Sequence, residues 1–209
     1  PERGHGNISF LRPDDAPIPA YQHSPVVAEY FAHCEEQRRQ RRGKWSRVIA
    51  GPGTVFPNMS YLPRQPRTIA VWHPRGANKT EVWRWFLVDG DAPQEVKEFL
   101  RQYYIRYSGP SGLTEQDDME NWNYAHTASR GVIARRHPYN YQMGMGFEDP
   151  SFEDHGLKLP GVVLDVTVAR AGEQNQRAFY RRWAQFMAAD GWDQLTPERD
   201  GRRTKASGG

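Results

Sequence analysis

Cysteine is nearly absent from this sequence, because Cys34 is the only one among 209 residues. A lone thiol excludes an internal disulfide, and without a Cys-x-x-Cys pair the chain cannot build a cysteine zinc site or an iron–sulfur cluster. Long apolar runs are also missing: no stretch approaches the roughly 18 to 20 residues of a membrane span, and the N-terminus lacks the apolar core of a signal peptide. We therefore expect a soluble, cytoplasmic protein without membrane contacts.

The chain also lacks an initiating methionine, since it begins at Pro1 with a polar, glycine-containing stretch. We expect either a processed protein or a segment of a larger one. Aromatic residues are abundant, with 7 Trp, 10 Tyr and 9 Phe. They supply the large surfaces for burial that disordered chains lack, and the length suits one domain with its own core.

Charge of a single sign does not dominate, because 28 Lys and Arg stand against 25 Asp and Glu, a net charge of +3. Only residues 38–44 (RRQRRGK) form a concentrated basic run. Nucleic-acid binding needs more than one such run, for example aromatic side chains interleaved with the cations for base stacking. A solvated helix end explains the run equally, since cations stabilise a helix C-terminus. We expect no nucleic-acid partner.

Strand patterns precede most of the helical ones. Alternating or β-branched runs predict strands at residues 4–11, 54–62, 67–72, 80–88 and 161–167. Apolar residues at helical spacing predict helices beginning at Ser24-Pro25 and at Asp91, and over residues 113–129 and 174–189. Turn-forming connectors between the central strands favour an antiparallel meander. The order predicts an α+β fold, an antiparallel sheet covered on one side by helices.

Four carboxylates lie within six positions at the start of the third helix, residues 115–120 (EQDDME). The helix dipole favours acids there, and Thr114 with Asp117 resembles a capping box. This structural interpretation needs no function. A functional one remains open, because Glu115, Asp118 and Trp122 share a helical face whereas Asp117 points about 100° away.

Asp118 is the strongest candidate metal ligand on that face. A carboxylate facing inward beside an apolar neighbour is costly unless it is paired or bound to metal. His126 follows eight residues later, a rise of roughly 12 Å, which is too far for joint coordination. The remaining histidines form no close pair at helical spacing: His5, His23, His33, His73, His137 and His155. Partners of Asp118 are therefore not expected on its helix.

Five ordered motifs resemble the large subunit of Rieske non-haem iron aromatic-ring-hydroxylating dioxygenases, most closely the naphthalene, biphenyl and polycyclic aromatic type. They lie within about seventy residues and are together more specific than any one alone. They are residues 53–60 (GTVFPNMS), 71–76 (VWHPRG), 80–83 (TEVW), 109–112 (GPSG) and 115–122 (EQDDMENW). A weaker resemblance extends to the predicted strand at residue 161 and to the final helix.

This resemblance implies a helix-grip fold (START/Bet v 1-like), with residues 1–209 as the C-terminal part of the catalytic domain. It implies a mononuclear Fe(II) held by two histidines and one aspartate, which maps to Asp118. Those histidines, with an electron-relaying aspartate, precede the strand that begins here at Gly4, so they are expected before Pro1. The Rieske domain and its [2Fe-2S] cluster are expected in the parent protein only, and the isolated fragment is expected to be inactive.

The implied reaction is cis-dihydroxylation of an aromatic hydrocarbon with O2 and electrons from NADH through a ferredoxin. A small (β) subunit is the implied partner, in an α3β3 assembly. The family pattern implies a cavity wall containing Leu62, Ser108 and Thr114. Naphthalene-type enzymes carry Phe and Trp at the last two positions, so the smaller side chains here predict substrates of three or more fused rings, unless other bulky residues refill the space.

Two alternatives come from other functional classes. A helix-grip domain also suits a metal-free carrier of hydrophobic ligands, and the basic run suits a nucleic-acid module. A stoichiometric ferrous site that depends on Asp118 would separate the oxygenase from the carrier, and an absence of binding at any salt concentration would remove the nucleic-acid module.

Overall fold

The computed structural model describes residues 3–11, 24–145 and 172–195. Within these ranges lie five strands, β1 to β5, and four α-helices, α1 to α4. Their bounds are Gly6–Leu11 (β1), Pro25–Arg42 (α1), Val48–Val55 (β2), Met59–Leu62 (β3), Thr68–Pro74 (β4), Thr80–Phe86 (β5), Gln94–Ser108 (α2), Glu115–Ser129 (α3) and Gln174–Ala188 (α4). None of the described helices is both long and apolar enough to cross a membrane.

The strands form one antiparallel sheet in the order β1-β2-β3-β4-β5, so each strand pairs with its neighbours in sequence. The predicted meander and the α+β class are confirmed. The predicted strands at residues 4–11, 67–72 and 80–88 correspond to β1, β4 and β5 within two residues at each end. The strand predicted at residues 161–167 lies outside the described residues.

One strand prediction was wrong, because residues 54–62 form a hairpin rather than a single strand. The chain turns at residues 56–58 between β2 and β3, where Pro57 has no amide hydrogen for a ladder. Most of β2 was not predicted, because Gly51-Pro52-Gly53 interrupts the pattern of alternating residues that indicates a strand. Gly53 is nevertheless required there, since the Tyr61 ring on β3 occupies the space that a Cβ would take.

Helices cover the face of the sheet on which Trp72 and Phe86 lie. Phe86 stacks on Tyr104 of α2 at 4.6 Å between ring centroids, and Trp72 contacts Trp122 of α3. The opposite face leaves Trp83 and Trp85 about half exposed. The alternation in β5 therefore separates a covered face from an open one. Helix α4 packs beside β1, where Phe179 and Phe186 meet Phe56 at the β2–β3 turn.

The best-packed core lies between α1 and α2. Val27, Val96 and Leu100 are at most 3% exposed there, which is where apolar burial stabilises the domain most. Helix α1 begins at Pro25 as predicted, and the Ser24 hydroxyl accepts a hydrogen bond from the Val27 amide at 3.3 Å. Its last turn carries Arg39, Arg41 and Arg42, so the basic run does end a helix.

Candidate functional site

A tight turn between α2 and α3 sets where the acidic helix begins. The Gly112 amide donates to the Gly109 carbonyl at 2.8 Å, and the Leu113 amide donates to the Arg106 carbonyl at 3.0 Å. A Cβ on Gly112 would lie 2.8 Å from the Tyr107 carbonyl oxygen, closer than atoms pack. The motif GPSG is therefore glycine-rich because the backbone folds back on itself here.

The predicted capping box at the start of α3 is wrong. Thr114 precedes the helix, but its side chain caps no amide. Instead the Gln116 side chain donates to the Gly109 carbonyl at 2.7 Å, which ties the helix to the turn. Glu115, Asp117 and Asp118 occupy the first turn, where the dipole stabilises them.

Glu115 is the inward carboxylate of α3, at 8% exposure. It forms an ion pair with Arg84 of β5, whose side chain is 18% exposed. Arg84 lies opposite Ala70 in the sheet register, so it projects from the helix-covered face. A buried charge needs such a partner, because removal from water is costly for an isolated ion.

Asp118 was expected to face inward, and this prediction was wrong. Its residue is exposed, as is Asp117, so burial does not distinguish the two. Glu115 and Trp122 do face the sheet together: Glu115 pairs with β5, and the Trp122 ring meets Trp72 of β4 edge-to-face at 5.4 Å. Glu115 takes the buried position because Arg84 supplies the opposite charge there.

The Asp118 carboxylate makes no hydrogen bond or ion pair within the described part of the chain. Its charge nevertheless reaches Tyr107 of α2. Burial raises the pKa of the Tyr107 hydroxyl above its usual value near 10, and Tyr103, Glu115 and Asp118 raise it further. The carboxylate oxygens of Asp118 are thus available as metal ligands near the C-terminal end of α2.

No histidine joins Asp118 among the described residues. The His126 ring forms a hydrogen bond with Asn78 Oδ1 at 3.2 Å, away from the first turn of α3. Residues 3–11, 24–145 and 172–195 contain no cluster of three or more His, Cys, Asp or Glu placed to hold a metal ion.

The three predicted cavity residues are only partly brought together. Ser108 ends α2 and Thr114 precedes α3, so both flank the same turn, whereas Leu62 ends β3 opposite Thr68. Thr114 is exposed and Leu62 is half-buried. The Ser108 hydroxyl oxygen is buried without a hydrogen-bond partner among the described residues, which leaves it available to a ligand or water.

Sequence reasoning missed Arg84. A signal existed, because Arg84 is a cation between Val82 and Phe86 on one face of an alternating strand. A cation on an otherwise apolar face requires a buried partner. That partner could not be identified from local spacing, because Glu115 lies 31 residues later in the sequence.

The family described as ring hydroxylating alpha subunit (catalytic domain) matches residues 4–189. The chain belongs to this family. The alpha subunit of biphenyl 2,3-dioxygenase from Rhodococcus jostii (strain RHA1) is 37% identical over 201 residues, covering 94% of this chain and 41% of the relative. The large oxygenase component of the naphthalene 1,2-dioxygenase system from Pseudomonas aeruginosa is 32% identical over 139 residues, covering 66% of this chain and 29% of the relative.

A solved ring-hydroxylating enzyme shares the fold. Naphthalene 1,2-dioxygenase from Rhodococcus sp., bound to indole, superposes with a TM-score of 0.66 at 31% identity, over 90% of this chain and 44% of the other. The chain therefore spans about two fifths of the length of the biphenyl relative and of the solved enzyme chain. Its α+β architecture is the one found in the catalytic domain of ring-hydroxylating dioxygenases.

Proposed function

We propose that this chain is the C-terminal part of the catalytic domain in a large subunit that cis-dihydroxylates polycyclic aromatic hydrocarbons. The supporting observation is the first turn of α3, where Asp118 carries a carboxylate without a described partner on a helix tied to the sheet. The family match over residues 4–189 includes this turn. In the proposed reaction O2 supplies both oxygen atoms, and NADH supplies electrons through a ferredoxin.

Asp118 is proposed as one ligand of a mononuclear Fe(II), with two histidines from outside this chain. The chemistry of the donor fits: a carboxylate oxygen beside two imidazoles forms the facial triad of non-haem iron oxygenases, which leaves coordination positions open. Bound iron would supply the activation of dioxygen. One carboxylate does not hold iron firmly, so residues 1–209 alone are expected to be inactive.

Leu62, Ser108 and Thr114 are proposed to line the substrate cavity. Ser108 and Thr114 have smaller side chains than the Phe and Trp that naphthalene-type enzymes carry at these two positions. The smaller side chains leave room for three or more fused rings. The buried Ser108 hydroxyl would face this space. The chain itself would contribute the wall on the side of the α2–α3 turn, and the remaining wall would come from the rest of the subunit.

The proposed partners follow from the alpha-subunit relatives. A small β subunit would assemble with the large subunit in an α3β3 complex, and a ferredoxin would deliver electrons. The [2Fe-2S] Rieske cluster would lie in the parent protein outside this chain, since Cys34 alone cannot ligate it.

The test is Fe(II) binding by the full-length subunit. We expect one ferrous ion per large subunit, lost in Asp118→Ala and retained in Asp117→Ala, a matched control because both acids are exposed in the same helical turn. Binding of Fe(II) unchanged by Asp118→Ala would reject the proposal. A full-length protein that binds aromatic hydrocarbons but no iron would favour the metal-free carrier instead.

A further inference from the structure

Helix α3 is attached to the sheet at two points that lie on either side of Asp118. Glu115 lies three residues before it and Trp122 four residues after it, and both contact the sheet. With a helical rise of about 1.5 Å per residue, the attachments lie roughly 4.5 Å and 6 Å from Asp118 along the axis. Asp118 is thus bracketed on its own helical face.

The first attachment is the buried ion pair between Arg84 and Glu115. Their side chains are 18% and 11% exposed, so solvent screens the pair little. The contact runs from Arg84 Nη1 to Glu115 Oε2, and Arg84 Nε is buried without a hydrogen-bond partner among the described residues. Separating the two charges would leave both buried and unpaired, which is costly. The pair therefore limits the rotation of the first turn of α3 about the helix axis.

The second attachment is the contact between Trp72 and Trp122. The Trp72 indole nitrogen donates a hydrogen bond to the Ser60 hydroxyl at 2.8 Å, which fixes that ring on the sheet. The Trp122 ring meets it at 5.4 Å with an interplanar angle of 73°, a favourable edge-to-face geometry.

The separation of Glu115 and Trp122 along α3 is close to the separation of their partners, Arg84 and Trp72, on the sheet. Trp72 lies opposite Val82, and Arg84 follows Val82 by two residues on the neighbouring strand. They are separated by about 7 Å along the strands and about 5 Å across them. The seven residues from Glu115 to Trp122 rise about 10.5 Å, so flexible side chains cover the difference. A helix held at two points cannot pivot about either.

We propose that Arg84 and Glu115 are positioning residues for the Asp118 ligand. The inference rests on the proposed function, because it assigns the ion pair to the orientation of an iron-binding carboxylate. Asp118 has no side-chain partner of its own among the described residues. The position of its backbone and the direction of its Cα–Cβ bond are therefore set by the helix that carries it, and the ion pair and the Trp72–Trp122 contact hold that helix on the sheet.

The experiment measures the Fe(II) dissociation constant of the full-length enzyme, together with the visible spectrum of its Co(II)-substituted form. Glu115→Gln keeps the shape of the side chain but removes its charge. We expect its Fe(II) dissociation constant to rise about 10- to 100-fold, the usual effect of losing a group that orients a ligand. The Co(II) spectrum should shift as well, because the ligand geometry changes.

A double variant separates positioning from stability. Arg84→Met combined with Glu115→Leu leaves no buried charge unpaired, so its melting temperature should recover relative to Glu115→Gln. Weak iron binding should persist, since the directional contact is gone. Glu98→Gln is the matched control: it removes an exposed ion pair with Arg101 on α2 and should change neither the metal affinity nor the spectrum.

Two outcomes would overturn the positioning role. One is Fe(II) binding by Glu115→Gln as tight as in the unchanged enzyme. The other is recovery of both stability and iron affinity in the double variant, which would make the pair purely structural. Asp118→Ala in parallel identifies which proposal failed: iron loss in Asp118→Ala but not in Glu115→Gln rejects positioning alone, and iron retention in Asp118→Ala rejects the ligand assignment itself.

Discussion

The hydroxyl of Tyr30 on α1 donates a hydrogen bond to Asp89 Oδ2 at 2.7 Å, and Arg67 donates to the other oxygen of the same carboxylate at 3.0 Å. This junction joins the first helix to the loop after β5. The hydrogen bond from Tyr30 lowers the pKa of Asp89, and the charge of Arg67 adds to the effect although partial burial opposes it.

Tyr30→Phe should destabilise the domain by about 1 kcal/mol at neutral pH, because it removes a partly exposed hydrogen bond while the aromatic ring stays. Asp89 has a folded pKa below its ordinary value of 3.8, so the stabilisation is complete above that value and disappears as pH falls through the folded pKa. The difference between the two proteins in denaturant unfolding should therefore shrink in acid. Tyr124→Phe, at a tyrosine 65% exposed, is the control. A difference that stays constant down to the acid limit would contradict the role of Asp89.

Gly53→Ala should destabilise the sheet by about 1 to 3 kcal/mol, the usual cost of overpacking. The added methyl would meet the Tyr61 ring directly opposite on β3. That ring is also held by Asn7, whose side-chain amide donates to the Tyr61 hydroxyl at 3.0 Å, so it cannot move away without loss. Gly90→Ala is the matched control, because nothing lies within 4 Å of its added methyl. Equal melting temperatures for the two variants would disprove this account of β2.

Ser108→Phe combined with Thr114→Trp should shift the full-length enzyme toward two-ring substrates. Both changes add bulk beside the α2–α3 turn, where the proposed cavity accepts larger aromatics. We expect the ratio of kcat/KM for phenanthrene over naphthalene to fall at least about tenfold, within the range that steric pocket changes produce. Thr127→Trp, which adds similar bulk at an exposed position of α3, should leave the ratio unchanged. A strong preference of the unchanged enzyme for naphthalene over phenanthrene or pyrene would reject the substrate prediction.

Local periodicity predicted much of this protein correctly. The alternating and β-branched residues at 80–88 predicted β5, and the helical spacing of Glu115 and Trp122 placed both on the side of α3 that contacts the sheet. These features depend on backbone geometry that repeats within a few residues. Periodicity failed where glycines and prolines interrupt the alternation, so a single strand was predicted at residues 54–62 in place of the β2–β3 hairpin.

The five motifs were enough to identify the family, and local residue spacing was enough to locate the acidic helix and its two sheet-facing residues, Glu115 and Trp122. Which carboxylate of that helix is buried depends instead on how α3 packs against β5. By helical spacing, Glu115 and Asp118 are almost equally placed to be buried. Glu115 is the buried one because the strand register places Arg84, which is 31 residues earlier in the sequence, beside it. A buried charge is stable only beside its partner, and partnership across elements is a property of the folded chain that no local pattern encodes.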